Sequence, residues 1–107
     1  MSHAFLVVRA TFAGDISPEF LSWYKSEHLP HVLAIPGIVK AYRSRCPGGR
    51  WTALYELSDE ASVQQVFASS EANVARRDWE RWLADVSELS VEVYAPLAPL
   101  VAFHRWN

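Results

Sequence analysis

The sequence predicts an α+β fold, a four-stranded antiparallel sheet with helices on one face. Three observations carry this: strand-like stretches bounded by turn residues, two helical regions, and their order of strand, helix, strand, strand, interrupted helix, strand. That order is the ferredoxin-like pattern. The whole chain, 1–107, is assigned to a single domain: half of its 107 residues are apolar and 13% are aromatic, which suffices for one core and leaves no room for a second.

The first strand, Ala4 to Phe12, is rich in β-branched and aromatic residues and is closed by Ala13-Gly14-Asp15. Ser17-Pro18-Glu19 then starts a helix, with a hydroxyl to cap it, proline at its first position and a carboxylate near its positive end. Phe20, Tyr24 and His28 recur every four residues and share one face, joined by Leu21, while Lys25 and Glu27 point outward. Because Leu29 precedes Pro30, this helix is expected to end there. Pro36-Gly37 turns the chain into a second strand, Ile38 to Arg45. Pro47-Gly48-Gly49 is a hairpin signal leading into a third, Arg50 to Leu57, paired antiparallel with the second. Alternation puts Trp51, Ala53, Tyr55 and Leu57 on one face and Arg50, Thr52, Leu54 and Glu56 on the other.

Ser58-Asp59-Glu60 reads as a second helix cap, leading to Ala61, Val63, Val66 and Phe67, with an interruption at Ser69-Ser70. The better helix runs from Glu71 to Val86, where Ala75, Trp79, Trp82, Leu83 and Val86 form a stripe suited to pack on the sheet. Leu89 to Tyr94 is the fourth strand. Pro96 and Pro99 hold Ala95 to Leu100 extended or at a sheet edge. The tail Val101 to Trp106 is too apolar to be idle. With only two helical regions, the second sheet face is left for solvent or another copy of the chain, and the expected assembly is a homodimer.

Composition excludes several function classes. A net charge of -2 gives no general pull toward nucleic acid, and no nucleic-acid partner is expected. Cys46 is the only cysteine, so neither an intrachain disulfide nor a site built on several thiolates is available, which fits a reducing, cytoplasmic setting. Ala4 to Val8 is interrupted by Arg9 and is too short for a membrane span. Neither G-x-x-x-x-G-K-[ST] nor G-x-G-x-x-G occurs, and no cofactor is expected.

Tyr24 and His28-x-Pro30 near the end of the first helix, then Pro36-Gly37 and a strand carrying Tyr42-Arg43, resemble the EthD-like branch of the dimeric α/β-barrel proteins. The order of elements extends the resemblance over nearly the whole chain. It implies that the sheets of two ferredoxin-like subunits join into a dimeric α/β barrel with helices outside, each subunit keeping a small pocket between sheet and helices. The wider superfamily includes cofactor-independent monooxygenases, polyketide cyclases, lactone isomerases and proteins without known activity, so the fold does not choose the chemistry.

His28 is the leading candidate catalytic residue, since an imidazole titrates near neutrality and can move a proton on a phenol, enol or carbonyl compound. The resemblance points to the same residue. The alternative is a structural histidine at a helix C-terminus, favoured by the dipole. Tyr24, one turn earlier, offers a phenolic hydroxyl or belongs to the core. Tyr42 is a second candidate to orient a substrate oxygen. Trp51 and Tyr55 on the third strand, with Trp79 on the second helix, enclose an apolar substrate or serve as packing, as does Trp82. His28 and His31 lie three apart, but Pro30 breaks the helix between them and no carboxylate or further histidine nearby forms a recognisable motif, so no metal site is expected. Arg43, Arg45 and Glu56 would pair across the dimer if they faced the partner sheet, and Arg43 is alternatively an anion contact. Cys46, beside the hairpin turn, lacks a neighbouring base.

These features favour a cofactor-independent small-molecule enzyme, or a degenerate relative, acting on an apolar oxygenated compound such as an aromatic or polyketide-like metabolite through His28. The rival is a non-catalytic homodimer, either binding such a small ligand or stress-associated. A third possibility fills the pocket with the protein's own side chains.

Overall fold

The structure is a computed structural model that describes residues 4–59 and 62–95. The sheet contains β1 (Phe5–Phe12), β2 (Ile38–Cys46), β3 (Arg50–Leu57) and β4 (Val86–Tyr94), all antiparallel, in the order β2-β3-β1-β4. Period-two alternation builds its inner face: Leu6, Val8, Ala10 and Phe12 of β1 and Trp51, Ala53, Tyr55 and Leu57 of β3 are buried under the helices. The hairpin falls at Pro47-Gly48-Gly49, where both glycines have positive φ, 83° and 75°. Gly49 is also in close approach to β1: its carbonyl accepts the Phe12 N–H at 2.9 Å, and a Cβ there would strike the backbone oxygens of Gly14 and Phe12.

Helical chain covers one face: α1 (Pro18–Trp23), a π turn over Tyr24–His28, α2 (Leu29–Leu33), α3 (Ser62–Ala68), α4 (Ser70–Asp78) and a 3-10 turn over Trp79–Trp82. Ser17 Oγ accepts the Phe20 N–H at 3.1 Å, so the hydroxyl that marks α1 in the sequence does cap it, and at the expected interruption Ser69 Oγ accepts the Ala72 N–H at 3.1 Å and caps α4. Phe20 is fully buried at the centre of the core, its ring 4.7 Å from Phe12, 5.3 Å from Trp51 and 5.2 Å from Trp82. Its edge-to-face contacts favour this aromatic cluster beyond the burial of its area.

Two boundaries depart from the sequence expectation. The first helix does not stop at Pro30. One wide π turn intervenes, in which the Leu29 N–H reaches back to the Tyr24 carbonyl, and Pro30 then sits in the first turn of α2, where its missing N–H costs little. The last helix ends at Asp78, not Val86, and after the 3-10 turn β4 begins at Val86. Val86 fits the helical spacing of the preceding apolar residues by phase alone, while its pairing with Phe12, beyond a register shift after Thr11, makes it strand. The expectations for Ala61, for Pro96 and Pro99 and for the tail from Val101 to Trp106 lie outside the described residues. Among the described residues, no helix is long and apolar enough to cross a membrane.

On the outer sheet face Val7, Leu54 and Tyr42 accompany a surface ion pair between Arg9 and Glu92. Antiparallel register sets Arg43 opposite Ala53 and Arg45 opposite Trp51, on the helix side, and Glu56 on the outer side. The condition that all three charges face a partner sheet is therefore not met.

Candidate functional site

The π turn brings His28 beneath the sheet, where the residue is only 3% exposed. Trp23 stacks on its ring at 5.0 Å with an interplanar angle of 11°, and Trp79 meets it edge-on at 5.7 Å. The imidazole plane is thus held from two sides. Its Nδ1 lies 2.9 Å from Oδ2 of Asp78, the last residue of α4, and Nδ1 of His31 lies 2.7 Å from the same oxygen. An ionised carboxylate only accepts, so each Nδ1 carries the hydrogen and donates it; for His28 this leaves Nε2 with its lone pair. Burial pulls the pKa of His28 below the usual 6.5, Asp78 pushes it back up, and the charge of His31 lowers it again; the net direction is down. His28 is therefore a neutral base at pH 7.

A cavity of about 350 Å³ adjoins this imidazole. Leu6, Val8, Leu89 and Val91 of the sheet face Val66, Ala75 and Trp79 of the helix layer across it, so its wall is mainly apolar. Arg76, Glu80 and the exposed Phe67 and Leu83 also line it. Such a volume and wall suit a small, largely apolar ligand with few polar groups.

Tyr55 lines this wall, and its hydroxyl shares a 2.6 Å hydrogen bond with the hydroxyl of Tyr24. Burial raises the pKa of both phenols, that of Tyr55 further because Tyr24 stands beside it. Both stay protonated at neutral pH. The Arg43 guanidinium carbon is 5.7 Å from the centroid of the Tyr24 ring, a cation–π contact that takes Arg43 to the back of the site.

The structure brings three of the six expected site residues, His28, Tyr55 and Trp79, to the cavity wall. Tyr24 stands behind Tyr55, 1% exposed, and Trp51 is 2% exposed with its ring 4.7 Å from Tyr24, so both support the wall from the core. Tyr42 pairs with Leu54 on the outer face and is half exposed, which separates it from the cavity by the thickness of the sheet. Its expected place beside the substrate is corrected by that register. Pro30 likewise does not part His28 from His31: the chain stays helical, and both rings meet a carboxylate brought from 50 residues away. Asp78 is the residue missed. Its signal is a carboxylate at the negative end of a helix, unfavourable unless donors meet it there, and it is hidden when the helix is drawn on to Val86.

No family model matches the chain, and no curated protein matches it by sequence. Solved structures do match in fold. An ethyl tert-butyl ether D (EthD) family protein from Bacillus halodurans superposes with a TM-score of 0.70 at 15% identity, over 91% of this chain and 100% of that one. SnoaB, a cofactor-independent oxygenase from Streptomyces nogalater, gives 0.66 at 13% identity, over 94% and 98%. A dimeric ferredoxin-like protein of unknown function from Thermobifida fusca gives 0.65 at 9%, over 89% and 92%. The fold is the ferredoxin-like fold that the element order predicts, and its structural neighbours include an EthD family protein.

Proposed function

We propose that the chain is a single-domain, cofactor-independent enzyme, working as a homodimer, that moves a proton on a small apolar oxygenated compound. The observation that carries this is a buried, neutral imidazole on the wall of an apolar cavity, with Nδ1 tied to a carboxylate. In this reading His28 Nε2 accepts a proton from an acidic O–H or C–H of the ligand. The Asp78 carboxylate stabilises the resulting imidazolium and fixes the tautomer, which is how a positioned base gains most of its effect. Tyr55 donates a hydrogen bond to the oxygen on which charge develops, with the Tyr24 hydroxyl holding it in place. Trp79 and the aliphatic wall lower the local polarity, which strengthens the interaction of the two polar groups with the developing charge.

Support from fold is coarser. SnoaB, a cofactor-independent oxygenase, shares the architecture, which makes a cofactor-free site compatible with this scaffold but selects neither the mechanism nor the substrate. Support for a homodimer through the outer sheet face is that the helices leave that face uncovered and that a dimeric ferredoxin-like protein shares the fold. Non-catalytic ligand binding is the second reading, favoured by one observation: the hydroxyls of Tyr24 and Tyr55 are engaged with each other, and the wall otherwise offers few neutral donors.

A panel of phenols, enols and 1,3-dicarbonyl aromatics, incubated with the chain under air, separates these readings by mass spectrometry. Conversion that disappears in His28→Gln, with the ligand still bound, supports the enzyme. Tight binding with unchanged ligand in both proteins supports the carrier.

A further inference from the structure

We propose that His31 is a positioning residue of this site, acting through Asp78 on His28 and coupling surface protonation to the buried base. This rests on the reading of His28 as that base, and deepens it by naming what regulates it.

The geometry is a single oxygen with two donors. Asp78 Oδ2 accepts from His28 Nδ1 at 2.9 Å and from His31 Nδ1 at 2.7 Å, so the carboxylate cannot rotate without losing both hydrogen bonds. The three side chains also form a gradient from cavity to water, 4%, 15% and 47% exposed for His28, Asp78 and His31. His31 is thus the member that solvent reaches first. It stands on α2 while its acceptor ends α4, so the shared oxygen also joins the two helices at the cavity.

Two consequences follow for His28. When His31 is neutral, its Nδ1–H holds Oδ2 in the line of the buried ring, and His28 keeps the tautomer that leaves Nε2 free. When His31 takes a second proton, its charge draws on the same carboxylate, and His28 binds a proton less tightly. The other titratable or charged groups facing this cluster are Tyr24, whose ring is 5.5 Å from His28, and Tyr55, Arg76 and Glu80 on the cavity wall. None of these four makes a hydrogen bond to either histidine among the described residues.

Nuclear magnetic resonance of the full chain with nitrogen-15 histidine reads the tautomer and titration of His28 directly. Wild type is expected to show the Nδ1–H tautomer at high pH and a broadened His28 titration. His31→Asn keeps an amide donor and removes the charge. It should retain the tautomer, sharpen the titration to that of a single independent group, and raise its midpoint by about half a pH unit, the scale of a partly screened charge pair. His31→Leu, at a solvent-exposed position, removes the donor as well and should add a fraction of the Nε2–H tautomer. Superimposable His28 titrations and tautomers in all three proteins would overturn the proposal. Because the imidazole itself is the readout, the coupling is visible even in a chain with no turnover, whose absence would count only against the enzyme reading.

Discussion

Burial and a carboxylate act on His28 in opposite senses, and burial prevails. Folding therefore favours the neutral ring, and the unfolded chain binds more protons in the window between the lowered native value and the usual 6.5. The contribution to stability is complete above that window and is lost as pH falls through it. Urea unfolding midpoints of the wild type should drop more steeply between about pH 7 and about pH 5 than those of His28→Gln. Parallel profiles would mean the ring is not held neutral. Asp78→Asn is expected to slow turnover about a hundredfold or more through the wrong tautomer, with less effect on ligand affinity; equal losses in kcat/KM and in binding would reduce Asp78 to a structural role. At this scale the sequence singles out His28, Tyr55 and Trp79, which line the cavity, because each residue type and its local spacing carry information. Asp78 is hidden because its partners are distant in the chain, and no local rule joins residues 28 and 78.

Among elements, the strands were legible and the helix ends were not. Turn residues bound β1, β2 and β3 on both sides, and the glycines of the hairpin sit where positive φ is required. The apolar recurrence through Trp79, Trp82 and Val86, by contrast, is satisfied equally by a continuing helix and by a helix that tightens into a 3-10 turn before a strand. Only pairing of Val86 with Phe12 decides it. Gly49→Ala tests the hairpin: a strained φ together with a clash against the Gly14 and Phe12 oxygens should cost about 1–3 kcal/mol in urea unfolding, whereas Gly14→Ala, with open space around it, should cost much less. Phe20→Ala would remove the ring at the centre of the aromatic cluster and should cost about 3–5 kcal/mol, measured the same way. Equal midpoints for Phe20→Ala and wild type would show that the rings of α1 do not carry the core.

At the scale of the molecule, the element order alone predicts a sheet covered on one side, and that layering is the fold observed. One sequence expresses the outer face only as an uncovered surface, and the proposed homodimer would set a second chain against it. Val7 and Leu54 sit at the middle of that face. Leu54→Glu should raise the dimer dissociation constant at least about tenfold, seen as a slower-sedimenting species at micromolar concentration, while leaving His28 resonances in place. An unchanged sedimentation profile would move the interface elsewhere.

The wide turn over Tyr24–His28 has an evolutionary corollary. Such a turn is what a helix makes of one surplus residue, since the extra position is absorbed as a local loop of the spiral and everything downstream keeps its phase. Sequences descended from a common ancestor should then divide at this spot by a single-position gap. Those without the inserted residue would run as an unbroken spiral there and would present the residues of α2 to the sheet in the same phase.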